Sequence, residues 1–288
     1  MATLSVENLT YIYGEKSPFQ KTAIKNITFS AKSGEIIGLI GHTGSGKSTL
    51  VQHFNGLLKA NSGKVLLDGV DIWENPKEIR KIRFRIGMVF QYPEYQLFEE
   101  TVYKDIAFGP SNMGLTAEEI EKRVTETALL LGISADMLQK SPFDLSGGEK
   151  RRVAIAGVMA MQPEIIIFDE PTAGLDPAGR DVVLSKIKEY RDRTGALVFI
   201  VSHSMEDMAR VADKLLVMNG GSLCMFDTVK KIFSNPKKLK EIGLNVPQIT
   251  KVFSAVKENG IPVDDNVFTV NDGVSILLSY LKGGNTCD

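Results

Sequence analysis

The stretch Gly41-His-Thr-Gly-Ser-Gly46-Lys47-Ser48 puts three glycines, a lysine and a hydroxyl in the spacing G-x-x-x-x-G-K-[ST], a pattern suited to holding a row of phosphates. Glycines let backbone N–H groups turn inward and approach an anion closely. A helix that follows directly aims its partially positive N-terminus at the same anion. On this reading Gly41, His42, Thr43, Gly44, Ser45 and Gly46 form the cradle, with the His42 ring pointing outward at its mouth. Lys47 reaches the β- and γ-phosphates, the Ser48 hydroxyl ligates Mg²⁺, and Thr49 bonds the α-phosphate.

A second chemical group lies far along the chain. Ile165-Ile-Ile-Phe-Asp169-Glu170 is an apolar run ending in two acids, and acids at the carboxyl end of a buried strand stand where open α/β sheets bind ligands. Asp169 is expected to hold Mg²⁺, through water, which leaves Glu170 free to polarise an attacking water as general base. His203 follows another apolar run, Leu197–Val201, in the same way, and is expected to point at the γ-phosphate.

These residues need a scaffold of buried strands. Glu35–Ile40, Ile165–Phe168 and Leu197–Val201 are continuous apolar runs, the mark of strands buried on both faces. Helical spacing appears at Ser48–Leu58, Ala117–Leu131, Ser146–Ala160 and Ala178–Arg193. Alternation of the two predicts an α/β fold, a mainly parallel core sheet with right-handed crossovers. Leu4, Val6, Leu9 and then Ile24, Ile27, Phe29 alternate with polar neighbours and predict an N-terminal antiparallel β-subdomain. Leu215–Met218 and Ser222–Met225 predict a closing hairpin across Asn219-Gly220-Gly221. After about residue 228 the character changes, with Pro236, Pro247 and Pro262 between short amphipathic segments. The expected division is a main domain over 1–228, with a helical subdomain over about 92–160, and a small α/β appendage over 229–288. Sixty residues are few for a self-sufficient core, so the appendage should pack on the main domain or on a partner.

Composition narrows the setting. The 288 residues carry a formal net charge of −1, so no global field favours nucleic acid. The lysines at 230, 231, 237, 238 and 240 read as a solvated helix face. The 2 cysteines, Cys224 and Cys287, form neither a metal-ligand spacing nor a disulfide framework, which fits a reducing compartment. The N-terminal residues lack the pattern of a signal peptide, and no window reaches the length of a membrane span. Work at a membrane would require docking onto another protein.

Leu145-Ser-Gly-Gly-Glu149-Lys-Arg-Arg152, just upstream of the Asp169-Glu170 strand, resembles the signature motif of ABC-type ATPases. Thr172-Ala-Gly-Leu-Asp176-Pro resembles that family's D-loop and Ser202-His203 its switch histidine. Gln91 stands at its Q-loop, and Tyr13 at the aromatic that stacks on adenine. The resemblance covers residues 2–228. It implies binding and hydrolysis of ATP with Mg²⁺, the ion held by Ser48, Gln91 and Asp169, with Gln91 joining Glu170 and His203 in catalysis. It further implies a pair of chains: Ser146, Gly147, Gly148 and Asp176 would serve nucleotide held across a subunit boundary. Glu149 departs from the family's usual glutamine, and an acid there is expected to weaken the contact.

Val89–Pro110, with Leu97-Phe-Glu-Glu-Thr and Ala107-Phe-Gly-Pro inside it, together with Arg152–Gly157 and Gly243–Thr250, is similar to the second of the two paralogous ATPases of energy-coupling factor transporters. That resemblance implies a prokaryotic vitamin importer, or a cobalt or nickel importer in related forms. It implies a location on the cytoplasmic face of the membrane, a paralogous ATPase partner, a membrane scaffold subunit docked beside Gln91–Phe98, and a separate substrate-binding membrane subunit. The appendage would contribute to ATPase pairing. A conventional ABC importer remains the alternative. A soluble ABC ATPase acting on DNA or ribosomes fits less well, because the chain has one phosphate loop and no long heptad run.

Overall fold

The computed structural model describes residues 1–283. Among these residues ten strands form two sheets: β1 Thr3–Tyr13, β2 Lys21–Lys32, β3 Ile36–Ile40, β4 Ser62–Leu67, β5 Val70–Asp71, β6 Ile86–Val89, β7 Ile165–Asp169, β8 Leu197–Val201, β9 Lys214–Asn219 and β10 Ser222–Thr228. The first sheet is antiparallel, in the order β2-β1-β4-β5. The second has the order β10-β9-β3-β8-β7-β6 and is parallel throughout except for the β9–β10 hairpin.

The core strands are buried on both faces, and their side chains divide by the two-residue period of a strand. Ile37 and Leu39 of β3, Ile165 and Ile167 of β7, and Phe199 of β8 face the antiparallel sheet, where they meet Leu4, Val6, Leu9, Ile27 and Phe29. Phe54 sits in the same layer, edge-on or tilted against Phe29 and Phe199 at ring centroids of 5.8 and 5.0 Å. Ile36, Ile40, Ile166, Phe168, Val198 and Ile200 face the opposite way, into a helical layer.

The helices are α1 Lys47–Phe54, α2 Ile79–Arg85, α3 Val102–Asn112, α4 Ala117–Leu130, α5 Ala135–Leu138, α6 Gly147–Met159, α7 Pro177–Thr194, α8 Met205–Val211, α9 Val229–Phe233, α10 Pro236–Glu241, α11 Gln248–Glu258 and α12 Val270–Gly283. Helices α3, α4 and α6 bury Val102, Ile106, Val124, Ala128, Val153 and Ile155 together. Thr116 caps α4 in a reciprocal box with Glu119.

The appendage corrects one expectation. Residues 229–283 form helices and, among the described residues, no strand, so it is α rather than α/β. Its apolar residues Ile249, Phe253 and Val256 recur every three to four positions and pack with Val263 and Val267 as a small cluster of their own; that is a helix period, not a strand period. Val229, Ile232, Phe233, Leu239, Leu244 and Val246 instead join the large core. The compositional change at 228 therefore precedes the change of core by nearly twenty residues. Cys287 lies outside the described residues.

Candidate functional site

The carboxyl ends of β3, β8, β7 and β6 stand side by side in the sheet, and each continues into a predicted functional residue. Gly41 follows β3, His203 follows β8, Asp169 ends β7 with Glu170 directly after it, and Gln91 follows β6. Tyr13, Thr43, Gly44, Gly46, Lys47, Ser48, Thr49, Gln91, Asp169, Glu170 and His203 all line one cavity of about 500 Å³ at this edge.

The loop's glycines answer to space as much as to backbone freedom. A Cβ on Gly41 would lie 2.4 Å from the carbonyl oxygen of Met218. One on Gly46, whose φ is +99°, would lie 2.5 Å from that of Ala23. Gly46 occupies the N-cap position of α1 and no side chain caps that helix, so its first N–H groups are free to bond an anion. Lys47 Nζ donates to the carbonyl oxygens of Gly41 and His42 at 2.8 and 3.1 Å. Burial lowers its pKa, against the pull of Glu170 and Asp169. The His42 ring turns away to Asn219 Oδ1, 2.9 Å from Nε2. Ser45 is fully buried and its hydroxyl has no hydrogen-bond partner. Neither residue lines the cavity.

Two neighbouring carboxyls differ in environment. Asp169 is buried, which raises its pKa, while a hydrogen bond from Ser48 and the charge of Lys47 lower it. Glu170 has a left-handed backbone, φ +53°, anchored where its N–H donates to Val201 O at 3.0 Å. Burial, then the charge of Asp169, push its carboxyl up to about 7, with Lys47 opposing. His203 Nε2 stands 3.1 Å from Glu170 Oε1, without the alignment of a hydrogen bond, so that oxygen is buried and unpartnered. Burial and the charge of Lys47 hold the His203 pKa below its ordinary value. A carboxyl titrating near neutrality, with one free oxygen and a neutral imidazole beside it, can accept a proton from water.

The elevated Glu170 pKa sets a stability signature. A carboxyl harder to ionise folded than unfolded contributes stability that is whole below its unfolded pKa and is lost as pH rises through its folded one. Between pH 4.5 and about 7 the unliganded chain should lose stability through this group, by about 2 kcal/mol after allowance for solvent screening. Glu170→Gln should remove that part of the slope and be the more stable variant at pH 8. Denaturant unfolding across pH checks this; parallel curves for the two proteins would refute it.

Mg²⁺ fits the donor set. Ser48, Gln91 and Asp169 offer only oxygen atoms, as a hard cation requires. Among the described residues no group of three or more His, Cys, Asp or Glu could hold a metal alone. One carboxylate, a hydroxyl and an amide suffice only when substrate phosphates complete the shell, the usual arrangement for Mg²⁺.

Tyr13 is half-exposed at the rim, its hydroxyl 3.2 Å from Thr49 Oγ1. Tyr11 packs edge-on against it at 4.9 Å, and His53 packs against Tyr11 at 4.8 Å. His53 Nδ1 donates to Thr49 O at 2.7 Å. The rim aromatic is therefore held by a closed ring of contacts. Sequence reading missed Tyr11 and His53, although Tyr11 stands two strand positions from Tyr13. It also missed Lys21, Thr22 and Ala23, which line the cavity because β2 returns in register beside Tyr13.

Ser146, Gly147, Gly148 and Asp176 are not brought to this cavity. Ser146 caps α6 and Asp176 caps α7, its Oδ1 accepting from Gly179 N at 2.8 Å. Gly147 and Gly148 are exposed. The expectation for Glu149 changes in kind. Its carboxylate turns back onto Ser146, accepting from the backbone N–H at 2.8 Å and the hydroxyl at 2.6 Å. The acid completes a capping box at its own helix rather than standing free.

The chain is similar to known proteins over nearly its whole length. Residues 24–173 match the family model described as ABC transporter. An "Energy-coupling factor transporter ATP-binding protein EcfA2" of Caldanaerobacter subterraneus is 51% identical, over 97% of this chain and 98% of its own. The protein of that name from Clostridium tetani is 48% identical, over 99% of each. Among solved structures, cbiO1 of Clostridium perfringens, part of the ABC transporter complex cbiONQ, superposes with a TM-score of 0.75 at 38% identity, covering 87% of this chain and 98% of its own. The dimeric ATP-binding cassette MJ0796 bound to ADP and Pi gives 0.70 at 27% identity, over 78% and 98%. The chain belongs to the ABC transporter ATPases, whose reaction is Mg²⁺-dependent hydrolysis of ATP, and within them to the ATP-binding EcfA2 proteins of energy-coupling factor transporters.

Proposed function

We propose that this chain powers a vitamin importer from the cytoplasmic face of a prokaryotic membrane, paired with a paralogous ATPase and docked on a membrane scaffold that carries a separate substrate-binding subunit. In this reading the Gly41–Gly46 backbone, Lys47 and Thr49 hold the phosphates and Tyr13 stacks on the adenine. Ser48, Gln91 and Asp169 hold Mg²⁺, which when bound neutralises charge on the phosphates. Glu170 takes the proton of the attacking water, with Gln91 and His203 placed around the γ-phosphate. Ser146, Gly147, Gly148 and Asp176 act on nucleotide across the boundary between the two ATPases. Residues 1–228 form the ATPase domain, with its helical subdomain at about 92–160, and residues 229–288 support pairing.

One observation carries the docking half of the proposal. A groove of about 400 Å³ opens beside the Gln91 segment, lined by Leu97, Phe98, Phe108, Val153, Val158 and Met161. Phe98 and Phe108 meet edge-on at 4.9 Å yet are 57% and 46% exposed, and nearby Tyr95 is 85% exposed. Such a cluster is costly to leave in water and suits an apolar partner segment. No helix among the described residues is long and apolar enough to cross a membrane, which fits attachment through other subunits. Import of vitamins rather than cobalt or nickel ions rests on the family resemblance. Purifying the assembled complex and measuring which substrate it carries separates the two.

Replacing Tyr95 and Phe98 together with serine should abolish co-purification of the membrane subunits while leaving ATP binding within about twofold, since neither residue lines the nucleotide cavity. Undiminished co-purification would remove the groove from the proposal.

A further inference from the structure

The guanidinium of Arg151 is buried, 4% exposed, at a point where three segments meet. Its Nε and Nη2 donate to both carboxylate oxygens of Glu94, at 3.0 and 2.6 Å. Its Nη1 donates to the carbonyl oxygen of Ala173 at 2.6 Å. Its charged carbon stands 5.9 Å from the centre of the Tyr92 ring. Glu94 and Ala173 belong to different parts of the machinery, and Tyr92 leads into the segment of Glu94. Glu94 lies on the short 3₁₀ turn Pro93–Gln96, between Gln91 and the groove wall Leu97–Phe98. Ala173 closes the turn that starts at Glu170, its N–H donating to Glu170 O at 3.1 Å. Arg151 itself belongs to α6, which presents Ser146–Gly148 at its start and contributes Val153 and Val158 to the groove lining.

Stability alone is a weak reason for such a pair. Removing an arginine and a carboxylate from water is costly, and apolar replacements of both are often as stable. A forked guanidinium does fix geometry, because its donors lie in one plane at set angles. The turn leading into Leu97–Phe98 and the helix carrying Val153 and Val158 meet at this one group. A partner segment that shifts the Pro93–Phe98 stretch relative to α6 must act on Arg151, and through Ala173 on the turn carrying Glu170.

We propose that Arg151 is a positioning residue that sets the Glu170 turn against the Gln91 segment, and is the joint through which a partner in the groove governs the rate of ATP hydrolysis. The inference rests on the proposed roles of Glu170 and of the groove. The test uses the double variant Glu94→Leu with Arg151→Met, which removes both charges together, and Arg151→Lys, which keeps the charge without the fork. Each is paired with the partner ATPase and measured with and without the membrane subunits. The double variant should keep its Tm within a few degrees and its KM for ATP within about twofold, while kcat falls about tenfold or more, as displacement of a catalytic group does. In the complete complex, the change of rate that the membrane subunits impose on the wild type should vanish. Arg151→Lys should show the same split in smaller measure, and it decides the matter if the double variant does not fold. Wild-type kcat together with a wild-type response to the membrane subunits, in either folded variant, overturns the inference. Continued co-purification after the Tyr95 and Phe98 substitutions would instead strike the groove's occupant, leaving the kcat result on the ATPase pair to judge Arg151's positioning of Glu170.

Discussion

Glu170→Gln is expected to lower ATP turnover in the assembled complex by about 10²- to 10⁴-fold, the usual contribution of a positioned general base, with ATP affinity changed little. The amide has the carboxyl's shape, so the left-handed backbone at φ +53° and its anchor on Val201 O are undisturbed. What it lacks is a basic oxygen. Near neutral pH the carboxyl, titrating at about 7, is roughly half ionised in the unliganded chain, so a proton acceptor is present in the wild type and missing in the variant. Phosphate binding is assigned to the loop, Lys47 and the free N-terminus of α1, none of which the amide touches. It also removes a negative charge from the neighbourhood of Asp169 and of the bound phosphates, which if anything favours ATP. Steady-state phosphate release and calorimetric ATP binding, on the same preparation, separate the two effects. Turnover within tenfold of wild type would take the proton from Glu170 and require another acceptor.

How much of this was legible before the fold is a matter of range. The phosphate loop could be read because its parts are contiguous: a fully apolar strand, spaced glycines and a helix. Asp169, Glu170 and His203 could be read because a buried strand's carboxyl end has a fixed place in an α/β sheet, and β7 and β8 prove to be neighbours. The link from Arg151 to Glu94 could not, since it joins residues 57 apart through a turn whose course depends on Tyr92 adopting φ +55°. A charged residue within a helical pattern reads as solvated unless its partner is known. The same holds for Lys21, Thr22 and Ala23, which reach the cavity only because the Gly14–Gln20 connection returns the chain beside Tyr13. The helical spacing runs on to Leu58, whereas α1 ends at Phe54, for a local reason. Gly56, at φ +67°, turns the chain, and the N–H groups of Leu57 and Leu58 both go back to Gln52 O, so the apolar residues beyond Phe54 continue no helix.

Gly147→Val is expected to leave the chain folded and to lower turnover of the ATPase pair by about 10²-fold or more, the scale of losing one preorganised donor site. The contrast with the phosphate loop supplies the reason. At Gly41 and Gly46 an added Cβ collides with the chain's own backbone. At Gly147 and Gly148 it meets nothing within 4 Å, and neither residue has a positive φ. No contact among the described residues requires glycine there, and in a helix glycine costs up to about 1 kcal/mol relative to alanine. Valine should therefore change stability by no more than about 1 kcal/mol. A reason for two adjacent glycines at the exposed start of α6 must come from outside the chain, from something that approaches the helix N-terminus closely enough to touch backbone. An anion fits, because the first N–H groups and the helix dipole point that way. The lesion should then fall on nucleotide bound to the partner ATPase and spare ATP binding in this chain's own cavity, which Gly147 does not line. Thermal unfolding, ATP binding by this chain alone and turnover of the pair read the three consequences separately. Full turnover in a pair built with Gly147→Val would show that the signature helix need not approach nucleotide, and the glycines would then need another explanation.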